Sequence, residues 1–313
     1  VDSEVRAQPA KELNNRVVKY YSASPDQAQK GSMATVNWLL PDTEDIFTNI
    51  SLRILNYILI GMPASPLRKK LIDSGLGEDL AGFGLETELK QMFYSTGLRG
   101  ISARDTDKVE DMVLSTLEDL ASSGLDPDIV EAAMNTVEFH LRENNTGSFP
   151  RGLAVMLRSL TTWLYDGAPF DILHFEPQLK EIRKRLENGE TLFEDLIRKH
   201  FLDNPHRTTL ELHPDTELEE RMQKREEERL KEIKKNMDDS ELGRVLTQTR
   251  TLRDMQAAPD KPEDLAKIPR LNREDLDKEI KKIPMQKTEV DGVPVLTHEQ
   301  PASGIVYLDL GLN

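Results

Sequence analysis

The 313-residue sequence has no cysteine. That absence excludes a disulfide framework, a cysteine-ligated zinc or iron–sulfur site and a thiol nucleophile. It is also compatible with a reducing compartment. Positive charge is in deficit. Lys and Arg number 41 against 56 Asp and Glu, for a formal net charge of −15. A polyanionic partner, nucleic acid or an anionic membrane, is therefore disfavoured. No apolar run approaches the ~20 residues of a membrane span. The best, Ile54 to Ile60, is interrupted by Asn56 and Tyr57. No signal peptide is expected either, because the start, Val1-Asp2-Ser3-Glu4, is acidic and has no initiator Met. The final residues, 304–313, form an apolar run with strand character. The expectation is a soluble piece excised from a longer protein.

What is present divides into four zones. Residues 1–15 are polar and expected to fray. Residues 16–213 mix apolar periodicity with Gly/Pro punctuation and are expected to form one globular domain. In residues 214–285 half the positions are charged, with the two signs nearly balanced, as in solvated helices laced by i,i+4 pairs. Residues 286–313 return to strand character.

Within the globular zone, strands are expected at 16–22 and 33–40, the second with Val36, Trp38 and Leu40 on one face. Pro41-Asp42-Thr43 signals a turn and an N-cap for a helix carrying Ile46, Ile50, Ile54 and Ile58. Pro66 opens a short helix. Residues 78–87 and 91–102 look like a strand pair, with Met92, Tyr94, Thr96 and Leu98 aligned and Gly97 and Gly100 marking close approach or bulges. Helices follow after Asp105, Asp126 and Pro150. The third carries the stripe Leu153, Met156, Leu157, Leu160, Trp163 and Leu164. Two more fit 178–186 and 192–201, and Thr208, Leu210 and Leu212 make a last strand. This unalternating order argues α+β: an antiparallel sheet with helices packed on one face. The charged zone holds two helices, 216–236 and 240–256, with Ser240 as second N-cap. A thin apolar seam, Leu218, Met222, Ile233 and Met237 against Leu242, Val245, Leu246, Leu252 and Met255, suits a hairpin docked on something else. Asp291-Gly292 signals a β-hairpin.

Chemistry is sparse. Neither H-E-x-x-H nor H-x-x-E-H occurs, and the nucleophile elbow and P-loop patterns are absent. His140 and Glu143 share a helix face, but Asn144 stands where a second ligand is needed. His200, His206 and His213 are expected on the surface. The densest unusual segment runs from Leu141 to Gly152, through Asn144, Asn145, Gly147, Ser148 and Arg151. One reading is a helix–helix corner, in which an Asn and Gly147 stop the first helix and Ser148 caps the second. The other has Asn144, Asn145, Ser148 and Arg151 lining a ligand-facing cavity. No catalytic and no metal-ligating residue is assigned.

The segments Pro63-Ala-Ser-Pro-Leu-Arg68, Ser74-Gly-Leu-Gly77 and Leu141-Arg-Glu-Asn-Asn-Thr-Gly-Ser-Phe-Pro-Arg-Gly152 resemble the presequence protease subgroup of pitrilysin-like, inverted-motif zinc metalloendopeptidases. The long match is specific, and the resemblance spans roughly residues 16–313. It implies an intact enzyme of four similar α+β domains in two bowl-shaped halves, joined by a helical hairpin and closing around unfolded peptides such as targeting peptides. In such enzymes the first domain carries H-x-x-E-H and the zinc. By that map this chain is the second domain, the connecting hairpin and the first strands of the third domain. The chain is then inactive alone, with no cofactor of its own and zinc in the intact enzyme. Its partners are unfolded, basic peptides and the other domains of the parent polypeptide, and its compartment is bacterial cytoplasm, mitochondrial matrix or plastid stroma. The alternative is a zinc-free scaffold or peptide-binding module of the same superfamily. A further alternative is a charged-hairpin adaptor without a proteolytic role.

Overall fold

Strand β2, Ser32–Asp42, alternates as its sequence requires: Ala34, Val36, Trp38 and Leu40 are buried and the intervening residues half-exposed. It pairs antiparallel with β4, Gln91–Ile101, setting Trp38 opposite Tyr94 and Val36 opposite Thr96. Met92, Tyr94, Thr96 and Leu98 are buried together, as the spacing predicts. At Gly97 the two backbones approach so closely that a Cβ would stand 1.9 Å from the Ala34 carbonyl oxygen. These strands sit inside a five-stranded sheet with β1, Asn15–Ser22, β3, Asp79–Glu86, and β5, Arg207–Asp215, in the order β1-β5-β2-β4-β3. All neighbours are antiparallel except β1, which runs parallel to β5.

A computed structural model of the chain describes residues 4–9, 15–28, 30–280 and 282–311. Parts of the polar N-terminal zone (1–3 and 10–14) and the last two positions of the terminal apolar run lie outside the described residues. Residues 4–9 have no regular structure, but Gln8 donates its backbone N–H to Gln91 Oε1 at 2.6 Å.

Helix α1, Ile46–Asn56, is capped by Asp45, whose carboxylate accepts from the Thr48 N–H at 3.0 Å. The cap therefore falls two residues beyond Thr43. A π-helical turn, Tyr57–Gly61, continues α1, and α2 spans Pro66–Asp73. By length and hydropathy the stretch Ile46–Asp73 is apolar enough to cross a membrane, a feature not apparent from the longest unbroken run. Half of that apolar window is buried inside the fold, where Ile50, Ile54, Leu55, Ile58 and Leu59 join the core. Helices α3, Thr106–Ser123, α4, Pro127–Glu143, α5, Arg151–Trp163, α6, Glu176–Glu187, and α7, Leu192–Ile197, complete the domain. Helix α3 packs on β2 and β4, α1 and α2 on β3, and α4 and α6 on α1. The other sheet face, including Thr35, Asn37, Leu39 and Phe93, stays half-exposed. This is the expected α+β layering. At its centre Trp38, Tyr94 and Phe201 meet edge to face, with centroids 5.0–6.1 Å apart, and the indole N–H donates to the Phe201 carbonyl at 2.9 Å.

The chain divides into two compact units, Val1–Leu218 with Ala302–Asn313, and Glu219–Pro301. In the charged region α8 spans Leu218–Asn236 and α9 spans Asp239–Ala257. Asp238, not Ser240, caps α9. Its carboxylate accepts the Glu241 N–H while Glu241 accepts the Asp238 N–H, a reciprocal capping box that leaves Ser240 inside the first turn. Neither helix fully buries a residue: of the expected seam, Met222, Ile233, Val245, Leu246, Leu252 and Met255 are exposed, while Leu218, Met237 and Leu242 are half-buried. Strands β6, Gln286–Val290, and β7, Val293–Thr297, form the expected hairpin, with Asp291 and Gly292 both at positive φ. The described part of the terminal run, 304–311, is not in a strand.

Candidate functional site

The segment singled out in the sequence is the corner between α4 and α5. Asn144 ends α4 in the left-handed region, φ 45°, and Gly147 follows at φ 57°. Asn145 Oδ1 accepts the Gly147 N–H at 2.9 Å. Arg151 donates to the Glu143 carbonyl at 2.7 Å, satisfying an end carbonyl of α4. Ser148 does not cap α5. Pro150 occupies the cap position without a side-chain bond, and Thr146 Oγ1 instead donates to the Phe149 carbonyl at 2.7 Å. Ser148 lies two residues before that position and is exposed. The structure thus brings the four side chains to one corner and spends Asn144, Asn145 and Arg151 on the turn itself. Two clefts on the helical face, ≈ 440 and ≈ 530 Å³, are lined from α4 and α6, the first also from α7, and none of the four side chains lines either. Part of the terminal segment touches the corner: Tyr307 Oη donates to Glu143 Oε1 at 3.3 Å.

Beside the corner stand two arginines that the sequence reading passed over. Arg158 of α5 donates to Asn144 Oδ1 at 3.0 Å. Arg53 of α1 donates to Asn49 Oδ1 at 2.8 Å and to Thr87 Oγ1 at 2.7 Å. Both side chains are partly buried, and every hydrogen-bond partner is neutral. Burial holds both guanidiniums below the usual arginine pKa. For Arg53 the neighbouring Arg158 charge adds to that, and Glu86 and Glu88 oppose it at longer range. A signal for Arg53 existed: it falls on the core-facing stripe of α1, between Ile50 and Ile54.

The stripe on α5 is not in the core. The helix buries Ser159 and Thr162, while Leu153, Met156, Leu157, Trp163 and Leu164 are exposed, Trp163 by 58% and Leu164 by 68%. Its apolar face has no cover among the described residues of its own unit.

The histidines do not assemble. His200 is buried, not on the surface, and its Nε2 has no hydrogen-bond partner. Burial first, then the Lys199 charge, pushes its pKa down to about 4 against the pull of Asp45. His140 lies edge-on to Tyr57, centroids 6.4 Å apart. His213 makes a line that resembles a nucleophile relay: Ser32 Oγ is 3.0 Å from Nδ1 and Glu211 Oε2 is 3.0 Å from Nε2. However, Ser32 is only 3% exposed, and Glu211 is already ion-paired with Arg16. Burial works to raise the Glu211 carboxyl, and hydrogen bonds from Arg16, Thr106 and His213 outweigh it, holding the group below the ordinary carboxylate range. The network ties β1, β2 and β5 together and offers no nucleophile to a substrate. Among the described residues, no group of three or more His, Asp or Glu is placed to hold a metal ion.

Two family models match this chain: the peptidase M16 inactive domain over residues 4–137, and the region associated with M16 peptidases of subfamily C over residues 212–313. The chain belongs to the pitrilysin-like M16 peptidase family. It is 42% identical over 299 residues to presequence protease 1, chloroplastic/mitochondrial, of Arabidopsis thaliana, covering 94% of this chain and 28% of that protein. To the mitochondrial presequence protease of Xenopus laevis it is 28% identical, covering 89% of this chain and 27% of the relative. The chain therefore spans less than a third of the length of these relatives. Among solved structures, a peptidase M16 inactive domain from Pseudomonas fluorescens superposes with a TM-score of 0.48 at 12% identity, covering 67% of this chain and 45% of that one. The M16 inactive-domain match agrees with the donor set: zinc, the metal of this metallopeptidase family, finds no fitting ligands among the described residues.

Proposed function

We propose that this chain is the non-catalytic second domain of a zinc metalloendopeptidase, followed by a linker, residues 214–285, that joins two halves of the enzyme, and by the first strands of a third domain, residues 286–313. The intact enzyme degrades unfolded peptides of the targeting-peptide type inside a closed chamber, in bacterial cytoplasm, mitochondrial matrix or plastid stroma. This domain supplies chamber wall, and the charged helices act as the hinge. The observation that carries the reading is the combination in one chain of an M16 inactive-domain match, a match to the region associated with subfamily C, and no metal-ligating cluster among the described residues. The half-exposed sheet face is suited to a wall. The net charge of −15 favours basic peptides by steering. At the corner, Asn145 and Ser148 are exposed, and with Asn144 and Arg151 they form the candidate peptide-contacting edge.

The test uses the intact parent polypeptide and a quenched basic peptide. Replacing residues 216–257 by a flexible Gly/Ser linker is expected to cut turnover by at least tenfold while zinc content stays at the wild-type level. Unchanged turnover would remove the hinge. A parent polypeptide that binds no zinc and cleaves nothing would select the scaffold alternative.

A further inference from the structure

The cleft of ≈ 440 Å³ between α4, α6 and the start of α7 shares no lining residue with the corner. Its size falls in the ~300–1,000 Å³ range of ligand sites. The floor is apolar: Met134 and Phe193 are buried, and Val130 and Leu186 are half-buried. The rim is acidic, with Glu131 from α4, Glu187 and Glu190 at and just beyond the end of α6, and Glu194 from α7. Two polar ties hold this frame. Glu194 Oε1 accepts the Leu125 N–H at 2.9 Å, which fixes the loop ahead of α4 to α7. Arg183 donates to Glu138 Oε2 at 2.6 Å and to Asn135 Oδ1 at 3.2 Å, which fixes α6 to α4. Arg183 is also the one cation among the described lining residues, and Glu138 already engages it. Glu190 comes no nearer to Arg185 than 4.0 Å. Glu131 and Glu187 are exposed on the two helices that flank the floor, and among the described residues neither has an ion-pair partner. We propose that this cleft is a docking site for a basic amphipathic peptide segment, which sets an apolar side chain on the floor and Lys or Arg against Glu131 and Glu187.

Charge complementarity selects the occupant. A nucleic acid, an anionic lipid surface or a second copy of a chain with net charge −15 would bring negative charge to a rim with no free cation to receive it. A purely apolar segment would strip water from Glu131 and Glu187 and leave both unpaired. A metal ion would want a third ligand, and no such group of three stands among the described residues. A basic amphipathic segment meets the rim and the floor together. The cleft opens on the helical side of the sheet, so its occupancy depends neither on the half-exposed sheet face nor on an enclosure.

The experiment uses a short helical peptide of Leu and Arg in which one Leu is replaced by the photo-crosslinker benzoylphenylalanine. It is irradiated with the intact polypeptide, a chelator being present so that no cleavage competes, and the adducts are mapped by mass spectrometry. Adducts are expected on α4 and α6 at the cleft, above all at Val130 and Leu186. Their yield is expected to fall about tenfold in Glu131→Gln/Glu187→Gln, which removes two partly screened charge pairs together. It is expected to hold in Glu228→Gln/Glu232→Gln, which removes the same charge from the exposed face of α8. A peptide with Glu in place of Arg is expected to leave the cleft unlabelled. Unchanged amide exchange in β2 and β4 reports that each variant keeps its fold. Adducts only elsewhere on the molecule, or none, would overturn the proposal. An equal fall in both variants, the mark of attraction by net charge alone, would do the same, as would an unchanged yield in Glu131→Gln/Glu187→Gln.

Discussion

The sheet domain and the charged helices are made of the same alphabet to opposite ends. In the first, Trp38, Tyr94, Phe201 and the apolar face of α1 leave water almost completely, and the sheet order is held by residues far apart in sequence. In the second, α8 and α9 bury nothing, and their visible support is local: Arg229 on Glu226 at 2.7 Å, Arg244 on Glu241 at 3.9 Å, and the Asp238–Glu241 capping box. Such exposed pairs, screened by water, contribute little each. The difference teaches where substitutions act. The domain has a cooperative core whose parts depend on one another, whereas the helices are sums of small independent terms.

Three substitutions sharpen that contrast. Trp38→Ala removes the largest buried side chain and its indole hydrogen bond, and is expected to cost about 3–5 kcal/mol in urea unfolding. A cost below about 1 kcal/mol would deny the centre of the core its role. The second turns on His200. An unfolded imidazole takes up a proton near pH 6.5, and the folded site refuses it until about pH 4. Between those values the unfolded chain binds more protons, so stability falls as pH drops through that window and levels off below it, by about 3 kcal/mol in all. His200→Phe is expected to lack that part of the slope, and equal slopes in both proteins would contradict the assignment. The smallest effect belongs to the charged region. Asp238→Ala is expected to lower the stability of α9 by about 1 kcal/mol, visible as faster amide exchange in its first turns, and to leave exchange in β2 and β4 unchanged. Coupled loss in the sheet would erase the distinction between the two regions.

Local patterns were legible in the sequence because local physics decides them. Alternation in β2 names its buried face, Asn144 stops a helix and Gly147 carries the turn after it because both tolerate positive φ, and Asp291-Gly292 makes a turn for the same reason. The cap of α9 was legible too, since the Asp238-x-x-Glu241 spacing outranks Ser240, but an eye on single residues misses it. What stayed hidden depends on distant partners. Nothing near Asn15–Ser22 announces that it lies parallel to Arg207–Asp215, or that His213 meets Ser32. The stripe on α5 is plainly apolar, yet periodicity cannot say whether its cover comes from this domain or another, and here the described residues of the domain provide none. Arg158 escaped notice for the same reason: its neutral partner, Asn144, is 14 residues away across the corner. The dispersal of the six histidines, with no H-x-x-E-H among them, was readable directly from the sequence.

The central claim, that this chain shapes an enclosure and does no chemistry in it, is tested most directly by incubating the purified 313-residue chain with zinc and a quenched basic peptide, with metal content measured on the same sample. The account expects no stoichiometric zinc and no cleavage above the peptide-only rate. Zinc retained at one equivalent, with hydrolysis that stops on chelation, would contradict it.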